Sequence, residues 1–229
     1  MDARILLVED EDDLREVLAQ ALAADGHDVS AVADGHAALD ALAEHDFDLL
    51  MLDIALGDGP DGVEICRRLR LADSDLYVMM LTARDGEADI VLALEAGADD
   101  YLTKPIGIVG LRSRVRAVLR RLVRTGPPPD DDVLTHGRIT LDLAAHRMRA
   151  GDREVALTQS EFAVLAALLK AKGGVRSRAQ LLEAIFGDDA YRDPRTIDFH
   201  IHHVREKLAH VALDSAIVTV RGAGYRIDA

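Results

Sequence analysis

The 229-residue chain is long enough for one or two domains, and its 49% hydrophobic content is ample for folded cores. No apolar run approaches the ~20 residues of a membrane span, no signal-peptide pattern opens the chain, and the lone cysteine, Cys66, excludes an internal disulfide or a thiolate zinc site; a soluble cytoplasmic protein is expected. The net charge of -14 is lopsided: residues 1–125 hold 13 Lys and Arg against 26 Asp and Glu, net -13, whereas residues 126–229 hold 14 against 15, net -1. Acidity therefore belongs to the first half and does not exclude a nucleic-acid partner for the second.

From Arg4 to about Arg124, short apolar runs alternate with helical patterns. "RILLV", "DVSAV", "DLLMLD", "LYVMML" and "DYLT" read as strands. Between them lie segments such as "DLREVLAQALAADG", with apolar residues at spacings of three and four and a stop at Gly26. Five such units predict an α/β domain with a parallel sheet covered on both faces. "TGPPPDDD", residues 125–132, breaks the pattern as a stiff, solvated connection. Short strands are then expected up to Ala156, three helices from Thr158, and two strands around a glycine turn in "AIVTVRGAGYRI".

"RILLVEDEDD" drives a buried strand into five consecutive acids, Glu9 to Asp13. Like charges repel, so either a cation sits there or the later acids turn to solvent, with Asp12 opening a helix. In a doubly wound sheet, ligands bind at the carboxyl ends of the strands. Those ends hold Glu9 and Asp10, Asp53, Thr82 and Lys104: three acids, a hydroxyl and an amine on one rim. Such acids suit a hard cation with oxygen ligands, such as magnesium. A lone Asp at a strand end is usually a cap, but the joint pattern is much harder to reach by chance.

These residues, with "ILLVEDE", "LEAGADDYLTKP", "LTQSEFAVL" and "TVRGAGYRI", give the chain a close resemblance to two-component response regulators of the OmpR/PhoB family. The resemblance implies three segments: residues 1–122 as a flavodoxin-like (βα)5 doubly wound receiver, 123–132 as a linker, and 133–229 as a winged helix-turn-helix DNA-binding domain. It implies that Asp53 accepts a phosphoryl group from a sensor histidine kinase, and that no separate substrate is turned over. Magnesium would be held by Asp10, Asp53 and the backbone carbonyl of Ala55, with Glu9 completing the acidic pocket. Lys104 would pair with a phosphoryl oxygen, Thr82 would move to another, and Tyr101 would turn inward as it does so. The peptide before Pro105 is expected to be cis.

In the second half, "DPRTIDFHIHHVREKL" resembles the family's recognition helix. Pro194 suits its first turn. Ile197, Ile201, Val204 and Leu208 fall at helical spacing and should bury one stripe, turning Arg195, Thr196, His202, His203 and Arg205 out toward double-stranded DNA. Gly222 and Gly224 allow a tight hairpin whose Arg221 is placed to reach a minor groove, with Thr219 and Tyr225 as phosphate contacts. Tandem or direct-repeat half-sites are expected, and the loop Gly187 to Asp193 is where the family touches RNA polymerase.

The chain departs from the family pattern at several places. The loop "IALGDGPDG" is one residue longer and has Gly57 for a common Pro; Ile106 replaces Phe; Gly107 and Gly110 fall early in the fifth helix; and His202 and His203 stand where basic residues are common. The family's receivers pair through salt bridges across helix four, strand five and helix five, and Ile90 and Gly110 occupy both ends of one such bridge. Asp100 with Arg114, and Glu95 or Asp99 with Arg121, are left, so a weak homodimer is expected. Two other classes compete. A haloacid-dehalogenase-type phosphatase needs a second Asp two residues after the nucleophile, where this chain has Ala55. A flavodoxin-like cofactor binder needs a glycine-rich phosphate loop, which is missing.

Overall fold

The structure, a computed structural model, describes residues 3–82, 87–122, 133–187, 194–213 and 215–228. The chain divides into two compact units, Met1–Arg124 and Thr125–Ala229.

The first unit alternates strand and helix: β1 (Arg4–Val8), α1 (Asp12–Ala23), β2 (Asp28–Val32), α2 (Gly35–Glu44), β3 (Leu49–Asp53), α3 (Gly62–Leu71), β4 (Tyr77–Thr82), α4 (Glu87–Glu95), β5 (Asp100–Thr103) and α5 (Ile108–Leu122). All five strands are parallel, in the order β2-β1-β3-β4-β5. Side chains alternate across a strand, and β1 shows the result: Ile5 and Leu7 join a core with α1 and α5, while Leu6 and Val8 join a second core with α2, α3 and α4. β3 and β4 are buried throughout because both of their faces are covered. The order reverses at β1, whose neighbours are β2 and β3, and this switch point brings the ends of β1 and β3 together at one rim.

Local details agree with the sequence reading at one helix start and differ at another. Asp12 opens α1 after the N-cap Glu11, and Asp12 and Asp13 fill its first turn, where carboxylates complement the helix dipole. Gly107 precedes α5 instead of lying inside it; its carbonyl accepts from Leu111 N at 2.9 Å, so only Gly110 weakens the helix. The Lys104–Pro105 peptide is cis.

The second unit begins with an antiparallel sheet of β6 (Val133–His136), β7 (Ile139–Asp142), β8 (Arg147–Ala150) and β9 (Arg153–Val155). Three helices follow: α6 (Gln159–Lys170), α7 (Arg178–Phe186) and α8 (Arg195–Ala209). A hairpin of β10 (Ile217–Val220) and β11 (Gly224–Ile227) ends the unit. Thr158 with Glu161 and Ser177 with Gln180 form capping boxes that start α6 and α7. Ile197, Ile201, Val204 and Leu208 of α8 are all buried in the common core of this unit.

Candidate functional site

At the carboxyl ends of β1 and β3, Glu9 is fully buried and Asp53 nearly so, while Asp10 is exposed. Each of the three offers a carboxylate oxygen, and these lie within 4.8 Å of one another. The Lys104 ammonium joins two of them, with Nζ 2.7 Å from Glu9 Oε1 and 2.6 Å from Asp53 Oδ2. Burial alone would lower the Lys104 pKa, but its hydrogen bonds to Asp53 and Glu9 outweigh that and hold it above the ordinary value. Glu9 is pushed up, first by burial and then by the nearby Asp53 charge, against the pull of Lys104.

The second Glu9 oxygen, Oε2, is buried and accepts no hydrogen bond from any described residue; the same holds for the buried Thr82 hydroxyl. Thr82 ends β4, the strand next to Asp53, and its carbonyl accepts from Lys104 N at 2.7 Å. Ala55 N–H donates to Asp53 Oδ1 over 3.3 Å. Gly62 closes the loop behind the site: a Cβ there would meet the Asp53 carbonyl oxygen at 2.1 Å, so the backbone approach requires glycine.

Arg15 is a member of the site that sequence reading missed. Its guanidinium donates to the Glu9 carbonyl at 2.9 Å and the Asp10 carbonyl at 3.4 Å, and pairs with Asp12. Its place on α1, two residues past the acidic run, is the signal that could have found it. The five acids are thus tolerated because Lys104 and Arg15 flank them and because Asp10 and Asp13 reach solvent.

In α8, Arg195 and His202, two of the residues expected to face DNA, are exposed. Four other residues expected at the DNA surface are not free to meet it. Thr196 is buried, 1% exposed, because it falls on the stripe of Ile197 and His200. His203 is only 15% exposed at its side chain, with Nδ1 3.8 Å from Glu161 Oε1 of α6. Burial lowers its pKa despite Glu161 and Glu206. Arg205 turns to the hairpin, where Nε and NH2 donate to the Ile217 carbonyl at 3.1 and 2.8 Å and NH2 to Thr219 Oγ1 at 2.9 Å. Tyr225 is 4% exposed, and its hydroxyl donates to Asp198 Oδ1 at 2.6 Å while accepting from Arg178 at 3.0 Å. Thr219 and Arg221 are exposed, with Arg221 in the hairpin turn.

Comparison with known proteins agrees with this geometry. Residues 5–116 match the model of the response regulator receiver domain, and residues 152–227 match that of the transcriptional regulatory protein C-terminal domain. The chain is 43% identical over 225 residues to the transcriptional regulatory protein TcrA of Mycobacterium tuberculosis strain H37Rv, covering 98% of this chain and 87% of TcrA. It is 39% identical to the sensory transduction protein RegX3 of the same strain, with 98% of both covered. The chain belongs to the OmpR/PhoB family of response regulators. It is a phosphorylation-switched transcriptional regulator, which removes the phosphatase and cofactor-binder alternatives. Among solved structures, a point mutant of RitR aligns with a TM-score of 0.79 at 29% identity over 99% of each chain. DrrB of Thermotoga maritima, an OmpR/PhoB homolog, aligns with a TM-score of 0.52 at 27% identity over all of each chain.

As in response regulators generally, a sensor kinase upstream and DNA downstream follow from the two domains. Among the described residues no helix is long and apolar enough to cross a membrane.

On the α4–β5–α5 face of this response regulator, two expected dimer contacts are corrected. Asp99 is fully buried and spent inside its own chain, where Oδ2 accepts from Arg70 NH2 at 2.8 Å and Val78 N at 3.0 Å. Asp100 is fully buried too and lies 4.0 Å from Arg114 of the same chain, whose NH1 also donates to the Tyr101 carbonyl at 2.8 Å. Glu95 and Gly110 are exposed, and Ile90 and Tyr101 are half-buried. The Arg121 side chain, the linker from residue 123 to 132 and loop residues 188–193 lie outside what is described.

Proposed function

We propose that Asp53 is the phosphoacceptor, and that magnesium bound by Asp10, Asp53 and the Ala55 carbonyl, beside Glu9, assists its phosphorylation. The single observation that supports this most is the Lys104 ammonium held within 2.7 Å of both Glu9 and Asp53. Phosphoryl transfer depends on positioning and charge neutralisation, and these residues supply both. A carboxylate oxygen of Asp53 attacks the donor phosphorus as the bond from phosphorus to the donor's leaving atom breaks and its electron pair departs with the donor; Lys104 meets a phosphoryl oxygen, and the unpartnered Thr82 hydroxyl is available for another. The buried, unpartnered Glu9 Oε2 and the tight carboxylate cluster fit a hard divalent cation. When bound, the ion neutralises charge between carboxylates and phosphoryl oxygens. On this reading the receiver catalyses its own phosphorylation and slow dephosphorylation, with no separate substrate, and Thr82 and Tyr101 carry the change of state.

The output is DNA binding through Arg195 and His202 of α8 and Arg221 and Thr219 of the hairpin. A phosphorylation-dependent homodimer on tandem half-sites suits the family, with RNA polymerase as a further partner. With Asp99 and Asp100 buried and Gly110 bare, that dimer is weak. Sedimentation of the phosphorylated chain tests this; a tight nanomolar dimer refutes it. For the acceptor, the chain is incubated with magnesium and a small phosphodonor and its intact mass is measured. Wild type gains one phosphoryl group and Asp53→Asn gains none; equal labelling of both overturns the assignment.

A further inference from the structure

Two of the residues expected at the DNA surface, Arg205 of α8 and Tyr225 of the hairpin, meet in one joint. Asp198, in the first turn of α8, takes a two-pronged grip from Arg178, the first residue of α7: Nε to Oδ1 at 2.7 Å and NH2 to Oδ2 at 3.2 Å. The Tyr225 hydroxyl of β11 closes the triangle on Asp198 Oδ1 and Arg178 NH2. The Arg178 and Arg205 guanidinium carbons lie 5.1 and 5.7 Å from the Tyr225 ring centroid, and Arg205 ties α8 to Ile217 and Thr219 of β10.

The backbone is pinned at the same place. Arg176 and Tyr225 exchange N–H···O bonds of 2.8 and 2.9 Å. Gly224, with φ +143°, allows the approach: a Cβ there would meet the Arg176 carbonyl at 2.0 Å. Burial and the Asp198 carboxylate raise the Tyr225 pKa, so the hydroxyl stays a donor.

We propose that Arg178, Asp198, Tyr225 and Arg205 are positioning residues for DNA binding. Together they fix the wing β10–β11 against α8, and so set where Arg221 stands relative to Arg195 and His202. The inference rests on the reading that α8 and the wing tip contact DNA. Core packing also holds the two elements together; the joint fixes their angle, because bidentate and bridged bonds are directional where apolar contacts are not.

The test uses the full chain and a duplex that the wild-type protein selects from a random library. Arg221→Ala, Tyr225→Phe and the double variant are compared in affinity and in hydroxyl-radical footprint. Tyr225→Phe keeps the ring and deletes two hydrogen bonds, so the fold is retained while affinity falls about five- to tenfold. Arg221→Ala also weakens wild-type binding, yet costs less than about twofold once Tyr225→Phe is present, and Tyr225→Phe loses the protection flanking the half-site but not that within it. Arg205→Met, which cuts the second tie without touching Tyr225, shows the same pattern. Equal cost of Arg221→Ala in both backgrounds, or unchanged affinity of Tyr225→Phe, overturns the proposal. No effect of Arg221→Ala on wild type is a separate outcome: it overturns the wing-tip contact on which the proposal rests.

Discussion

The acidic pocket of the receiver and the α8–hairpin joint are both clusters of charged side chains, but they are balanced in opposite ways. Three carboxylates crowd the pocket, and a single ammonium bridges two of them while Glu9 Oε2 and the Thr82 hydroxyl remain unpartnered among the described residues. At the joint, one carboxylate meets one bidentate guanidinium and one hydroxyl, and the second guanidinium ends on a carbonyl and a threonine. Unsatisfied buried polar atoms cost free energy, and a ligand that partners them recovers that cost. A satisfied cluster has nothing to gain from a ligand and instead restrains geometry. The pocket keeps polar groups in reserve, whereas the joint has used them.

The largest test of this contrast lies at a third cluster in the receiver, which is satisfied like the joint. Asp99→Ala strands the Arg70 guanidinium, 12% exposed, and is expected to destabilise the receiver by about 3–5 kcal/mol, as breaking one side of a buried pair does. Calorimetry should show the receiver transition fall with the effector transition unmoved. An effect confined to dimerisation would restore Asp99 to the interface.

Magnesium should act next most strongly, and only on the unsatisfied cluster. At concentrations well above its dissociation constant it stabilises the receiver by mass action, about 2–3 kcal/mol at a hundredfold excess. Asp10→Asn or Asp53→Asn should remove most of that gain. A matching rise in the effector transition would sink the distinction.

Two smaller effects sharpen it. Burial pushes the Cys66 thiol up to about 11, so at pH 8 about one molecule in a thousand carries the reactive thiolate. A thiol reagent should therefore label the chain only once denaturant opens the receiver; labelling of folded protein would contradict the packing. His203 gives the smallest. Its folded pKa lies below the unfolded value of about 6.5, held down by burial against Glu161 and Glu206, with His202 and Lys207 adding to the lowering. The effector keeps its full stability above that value and loses some as pH falls through it, because only the unfolded chain takes up the proton there. His203→Gln should flatten this part of the stability profile and leave the pH dependence of operator affinity alone. A change in the latter would put His203 back at the groove.

How far the sequence could be read follows from the same contrast. The five strands, the position of the acids at their ends and the buried stripe of α8 were legible, because periods of two and 3.6 are properties of local residues. Glu9, Asp53, Thr82 and Lys104 could be listed together because a parallel sheet brings successive strand ends to one rim. The DNA face was legible only in part. Helical spacing says that Arg205 and His203 leave the buried stripe, but not that Ile217 of the hairpin and Glu161 of α6 are there to receive them. Arg178 escaped for that reason as well: its acceptors, Asp198 and the Tyr225 hydroxyl, come from elements that only the tertiary fold brings near. Asp99 and Asp100 were placed at the dimer face on the family resemblance, which does not show that Arg70 and Arg114 of the same chain lie beside them.

Arg70 carries a consequence for how the receiver can diverge. Its guanidinium serves the Gly97, Ser74 and Leu76 carbonyls at 2.8–2.9 Å as well as Asp99. Lysine has three donors on one point and no planar fork, so it cannot serve all of these acceptors at once. Single substitutions at position 70 or 99 each leave a buried group stranded, and a lineage must change both together or neither. Single changes at this end of the sheet are therefore costly, and variation is expected to collect instead in exposed positions such as Leu71, one residue away and 87% exposed.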